Sequence, residues 1–121
     1  MDVPQLVRRA ADRELTEDDL TSFLQSRDVT RHDLFDALVA FLARGFVSRE
    51  LSFAFCDTAV NEIFGLTNYD ASEFTWAVYG AFEEGEYHHA GDSRDLDPAE
   101  VYARPLLEKL VASHGDSGLQ A

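Results

Sequence analysis

TRHDLFDALVAFLARG, running from Thr30 to Gly45, is the stretch on which the fold of this chain turns. Leu34, Phe35, Leu38, Val39, Phe41 and Leu42 place apolar side chains around most of a helical circumference at 100° per residue. A helix without a broad polar side is buried from several directions, so other helices must surround it. Thr30 supplies a good N-cap for this segment, and Gly45 is its expected C-terminal stop.

The flanking segments read the same way. Residues about 3 to 13 form a short opening helix. Thr16 caps a second one, with Asp19 three positions later and Leu20, Phe23 and Leu24 at helical spacing. After the central segment, Ser48 is the expected cap of a helix that runs to about Phe64 and stops at Gly65. Its apolar arc holds Leu51, Phe55, Cys56, Ala59, Val60, Ile63 and Phe64. Asn68 to Ser72 form a turn, and a further helix spans about Glu73 to Glu84 with Gly85 as its stop. Tyr87 to Leu96 read as a polar loop. Asp97-Pro98-Ala99-Glu100 resembles a capping box with Pro at the first helical position. The last helix then reaches about Ser113, kinked or split by Pro105. The tail from 115 to 121 is expected to fray. With no Asn-Gly or Asp-Gly hairpin turn and no period-2 run, the expected fold is an all-α, single-domain bundle of five or six helices.

Composition narrows the class. A length of 121 residues fits one domain, and 45 % hydrophobic residues with nine Phe suffice for one core. The single cysteine, Cys56, excludes an internal disulfide. No apolar run approaches the roughly 20 residues needed to span a bilayer. The start, Met1-Asp2-Val3-Pro4, lacks the basic and apolar regions of a signal peptide, so a soluble, cytoplasmic protein is expected.

Charge is polarised. The net charge is −13, of which residues 1 to 49 carry −2 and residues 50 to 121 carry −11. From Glu50 to Ser93 there are nine carboxylates and no Lys or Arg: Glu50, Asp57, Glu62, Asp70, Glu73, Glu83, Glu84, Glu86 and Asp92. Such a lobe repels nucleic acid and anionic lipid and attracts cationic partners. The bases Arg8, Arg9, Arg13, Arg27 and Arg31 are interleaved with acids and read as salt-bridge partners, some of them for the acidic half, not as a nucleic-acid patch.

Several positions bear on chemistry. On the 73–84 helix, Phe74, Ala77, Val78, Ala81 and Phe82 form one stripe, while Trp76, Tyr79 and Glu83 share the opposite side. Trp and Tyr are enriched at interface hot spots, and here they adjoin Glu83, Glu84 and Glu86. The competing reading packs both aromatics into the core. On the preceding helix, Glu50, Asp57 and Asn61 align, either as a solvated side or as an acid/base or metal group. Glu62 falls inside the apolar arc and calls for a salt bridge to an Arg of the N-terminal half. Glu86-Tyr87-His88-His89 with Asp92 holds ligand-type residues, but adjacent histidines diverge and no zinc spacing accompanies them. No metal and no cofactor are therefore expected. Cys56 lacks a neighbouring base and reads as a small core residue.

The stretches Ala59-Val60-Asn61-Glu62-Ile63-Phe64, Phe74 to Tyr87 (FTWAVYGAFEEGEY), Asp97-Pro98 and Arg104-Pro105-Leu106 resemble small acidic helical proteins of bacteria. Several of those look like immunity partners of contact-dependent or polymorphic toxins. The resemblance covers residues about 59 to 110. It implies a non-enzymatic, acidic protein that blocks a cationic toxin domain. Glu83, Glu84, Glu86 and Asp92 would supply charge, and Trp76, Tyr79 and Tyr87 would supply contact area. The alternative is a helical scaffold or regulatory module that homodimerises, or binds another protein, through the Trp76/Tyr79 face. A metal-binding protein or enzyme using Asp57, Glu62, His88 or His89 stands third.

Overall fold

Five helices begin at a side-chain oxygen that accepts a backbone N–H of the first turn, which satisfies one of the donors a helix start leaves open. Asp2 caps α1 (Val3–Ala11), Thr16 caps α2 (Glu17–Gln25) and Thr30 caps α3 (Arg31–Val47). At all three the residue at the third helical position bonds back, completing a capping box. Ser52 caps α4 (Phe53–Leu66) and Ser72 caps α5 (Glu73–Glu84). A π-helical turn at Ala99–Ala103 leads without a break into α6 (Arg104–His114). The computed structural model describes residues 1–114, and their regular structure is helical throughout, an all-α bundle of six α-helices. The tail expected to fray lies outside the described residues.

The central segment behaves as its pattern demands. Leu34, Phe35, Ala37, Leu38, Val39, Leu42, Ala43 and Phe46 of α3 are buried, and α1, α4, α5 and α6 all pack on it. From α2, Leu20 and Phe23 join the same core. Near the carboxyl end of α3, Phe46, Phe53 and Phe82 meet with ring centroids 5.9–6.0 Å apart. Over Phe46 lies the Arg104 guanidinium, 4.0 Å from the ring centroid. Arg104 donates to the Phe46 carbonyl (2.8 Å) and the Val47 carbonyl (3.3 Å), two of the orphan acceptors at the helix end, and pairs with Glu100. At the other end of the bundle, Ser72 and Thr75 hydroxyls both donate to Asp36, which pins the start of α5 to α3.

Helix ends differ from the sequence-based expectation. α3 runs past Gly45 to Val47, Ser48 ends it instead of opening the next helix, and α4 starts four residues later, after Ser52. α4 also runs through Gly65. The chain reverses at Arg13, Arg49, Asn68 and Tyr69, all with positive φ between 53° and 68°, a conformation non-glycine residues take at a cost of order 1 kcal/mol. Gly45 and Gly85 serve packing instead. A Cβ on Gly45 would meet the Leu51 side chain at 2.3 Å, and one on Gly85 would meet Ala103 Cβ and Phe53 Cε1 at 2.8 Å. Only Gly85 also stands at a helix end, and its φ there is −82°. The capping box expected at Asp97 does not form. Asp97 accepts from the Ala99 N–H, while Glu100 turns to Arg104 and Arg49.

Gly85→Ala should therefore destabilise the protein by about 1–3 kcal/mol through overpacking. Gly65→Ala, where nothing lies within 4 Å of the added carbon, should be neutral or stabilise by up to ~1 kcal/mol through helix propensity. Urea unfolding of both variants measures this, and equal effects would refute the packing role of Gly85.

Candidate functional site

Among the described residues, the ion pairs made by arginine fall outside the nine acids between Glu50 and Ser93. Arg9 bonds Asp19 and Glu14, Arg31 bonds Glu17, and Arg49 and Arg104 bond Glu100. Among the described residues no ion pair joins one of the nine to Arg or Lys. Two of them reach a histidine: Asp70 pairs with His32 at 2.8 Å and Glu84 with His89 at 3.0 Å. The salt bridge expected for Glu62 is not made. Glu62 is half-buried, and the bases of α1 are engaged elsewhere, Arg8 over the Phe55 ring and Arg9 at Asp19.

Beside these acids lies an aromatic cluster built by α4, α5 and the turn between them. Phe64 is its buried centre. Tyr79 stacks on Phe64 with centroids 4.0 Å apart and planes 9° apart. Trp76 meets Phe64 edge-on at 4.6 Å. Tyr69 stacks on Trp76 at 6.2 Å, held there by the left-handed turn at Asn68-Tyr69. Exposure grades across the cluster: Tyr69 is 79 % exposed and Trp76 42 %, whereas Tyr79 is half-buried. The face is thus split between solvent and interior. Trp76 faces solvent, and Tyr79 fills the floor beneath it. The core stripe of α5 is also displaced, with Thr75, Val78, Ala81 and Phe82 buried and Ala77 exposed.

One turn further along α5 the surface opens into a cleft of about 290 Å³ lined by Gly80, Glu83, Glu84, Tyr87 and His89. Gly80 leaves it open, since nothing lies within 4 Å of a Cβ placed there. Tyr87 is 67 % exposed, and the negative charge of Glu86 and its hydrogen bond raise the Tyr87 phenol. Desolvation first, then Glu83 and Glu86, raise the Tyr79 phenol.

Behind this surface, Asp57 and Asn61 of α4 approach Glu86. Asn61 Nδ2 lies 3.4 Å from Asp57 Oδ1 and 3.3 Å from Glu86 Oε2. Burial pushes the Asp57 carboxyl up to about 7, helped by the hydrogen bond and charge of Glu86 and opposed by Asn61. Glu50, aligned with these residues in the sequence, is instead bonded to Ser48 before α4 begins. The two neighbouring histidines diverge. His88 Nε2 sits 2.9 Å from the Leu96 carbonyl, and His89 stacks on Tyr102 at 3.7 Å. Asp92 is drawn into the loop, where it accepts the Tyr102 hydroxyl and the His89 N–H. These bonds hold its carboxyl below the usual range. Among the described residues no group of three His, Cys, Asp or Glu is placed to hold a metal, and no helix is long and apolar enough to cross a membrane. Cys56 is buried against the Leu42 carbonyl, and desolvation pushes its thiol up to about 12, so it is no nucleophile at neutral pH.

Tyr69 was the site residue that sequence reading missed. An aromatic in a polar turn carries no periodic signal, and only its place between Asn68 and Asp70 sets it apart.

The Asp92 geometry sets a measurable expectation. Tyr102→Phe should let the Asp92 pKa rise toward its ordinary value and speed hydrogen exchange at the His89 amide, with little change in global stability. An unchanged Asp92 titration by NMR would refute the role given to the Tyr102 hydroxyl. No protein-family model, curated protein or solved structure matches this chain, so the reading of its function rests on the site itself.

Proposed function

We propose that the protein is a non-enzymatic acidic binding protein that blocks a cationic toxin domain with its α4–α5 face, as an immunity protein does. The observation that carries this reading is the pairing pattern: the described arginines with ion pairs neutralise the N-terminal half and Glu100, and leave the acids of α4 and α5 without Arg or Lys. Acids left in this way speed encounter with a positive partner and discourage wrong ones. Tyr69, Trp76 and Tyr87 add exposed aromatic area of the kind that dominates interface energetics. The cleft beside Glu83 and Glu84 offers a seat for a partner's Arg or Lys side chain. Blocking a basic active-site cleft needs no chemistry from the inhibitor.

Self-association through the same face is the weaker reading. In a two-fold dimer the patch meets its own copy, setting Glu73 and Glu83 against like charge at an energetic cost.

The test starts from the genes beside this one. One of them should encode a domain that is toxic when expressed alone and tolerated when this chain is co-expressed. Its association rate should fall by roughly tenfold or more between about 0.05 and 0.5 M salt. Glu83→Gln/Glu84→Gln should slow association, and Trp76→Ala should speed dissociation. A rate indifferent to salt and to the double substitution would sink the proposal, as would a stable dimer that shields Trp76 from quencher.

A further inference from the structure

The contact between Asp57 and Glu86 is not used by the docking reading. Both carboxyls meet at one amide, because Asn61 Nδ2 reaches an oxygen of each. Two like charges gathered at one amide, with Asp57 half-buried, repel each other less when one carboxyl keeps a proton. The Asn61 amide faces both, 3.4 Å from Asp57 Oδ1 and 3.3 Å from Glu86 Oε2, while it also donates to the Asp57 carbonyl at 2.8 Å. The three side chains thus bridge α4 to the segment that follows α5. That segment has no other side-chain hydrogen bond to α4 among the described residues.

We propose that Asp57 and Glu86 form a proton-sharing clasp, which ties the turn after α5 to α4 while the proton is held and loosens when it is lost. No protein partner is involved, so the clasp can stand if the docking reading falls. No step is redox or covalent; one proton moves between the carboxyl pair and solvent.

The surroundings favour a single charge on the pair. From α5, Glu83 and the Tyr79 phenol face it, and from the turn, the Tyr87 phenol. On α4 itself the neighbouring Cys56 thiol is buried and neutral. Arg8 of α1 lies over the Phe55 ring, and Arg31 of α3 donates to the Leu66 carbonyl. A second negative charge would therefore meet Glu83, and among the described residues no ion pair joins the Asp57–Glu86 pair to Arg or Lys.

The sign follows from which state holds the proton. In the unfolded chain Asp57 ionises near its ordinary 3.8, and in the fold it keeps its proton to about 7. Between those values the folded state binds more protons. The clasp's contribution to stability is complete at the lower end and declines as pH rises through 7.

The experiment is a carbon-13 NMR titration of the Asp and Glu side-chain carboxyl carbons from about pH 3 to 9, on the wild type, Glu86→Gln, Asp57→Asn and His88→Gln/His89→Gln. In the wild type one carboxyl of the pair should titrate near neutrality, and the backbone amides of Glu86 and Tyr87 should move with the same midpoint. In Glu86→Gln the Asp57 midpoint should fall clearly, yet stay above the ordinary carboxylate range because burial remains. In the double-histidine variant the neutral carboxyl titration should persist, which separates it from imidazole titration in the same window. Two ordinary acidic midpoints in the wild type would overturn the clasp, without reference to any variant's stability. So would an Asp57 midpoint that Glu86→Gln leaves unchanged. The salt dependence and the Glu83→Gln/Glu84→Gln effect report on docking alone, so either reading can fail by itself.

Discussion

Burial of α3 on all sides is the constraint from which the rest of the molecule follows. A helix with apolar residues around most of its girth can meet water only near its ends. α1, α4, α5 and α6 close around it, and its polar business is settled at its ends and at Asp36. Arg31, at the start of α3, holds Glu17 and the Leu66 carbonyl. Arg104, 12 % exposed at its side chain, closes over the last carbonyls of α3 from α6. Arginines are thus placed where helix ends meet neighbouring helices. The outer surface of α4 and α5 lies away from those seams, and among the described residues no ion pair joins its carboxylates to a guanidinium.

That division explains how a modest fold keeps a charged face without forfeiting its core. Repulsion among exposed carboxylates is weak in water and screened by salt. Where two of them come together under partial burial, at Asp57 and Glu86, burial first and then Glu86 push the Asp57 carboxyl up to about 7. The aromatic cluster follows the same gradation. Phe64 is anchored in the interior, Tyr79 lies across it, and Trp76 and Tyr69 reach solvent. Buried packing therefore fixes the position of the exposed rings, which leaves them little side-chain entropy to lose in any further contact.

Much of the architecture was legible in the sequence because the relevant signals are local. Thr16 and Thr30 cap as their spacing implies, and the 73–84 helix has the limits its pattern set. The stops expected at Gly45 and Gly65 do not occur, while the one at Gly85 does. Gly45 and Gly85 are small because Leu51 and Phe53 press against them, a fact of tertiary packing. The true reversals at Arg49, Asn68 and Tyr69 use residues with no special turn chemistry apart from Asn. The candidate site was legible by composition but not by geometry. Trp76, Glu83, Glu84 and Tyr87 were identifiable as a group. The approach of Glu86 to Asn61, 25 residues away, depends on how α4 and α5 pack and leaves no trace in spacing. Asp92 reads as surface charge in the sequence, whereas the Tyr102 hydroxyl claims it for the loop.

The π-helical turn at Ala99–Ala103 has a consequence of its own. It holds Ala99 and Ala103 buried while Val101 is exposed, and its last bond runs from the Arg104 N–H to the Ala99 carbonyl, five residues back. Such a turn is an α-turn carrying one residue too many. Asp97 fixes its beginning and the Arg104 guanidinium its end. A chain one residue shorter could wind between the same two anchors as plain α-helix and deliver Leu107 to the same place in the core. This seam is therefore a splice point where evolution can change the length of the protein inside a helix, without disturbing either the bundle or the acidic face.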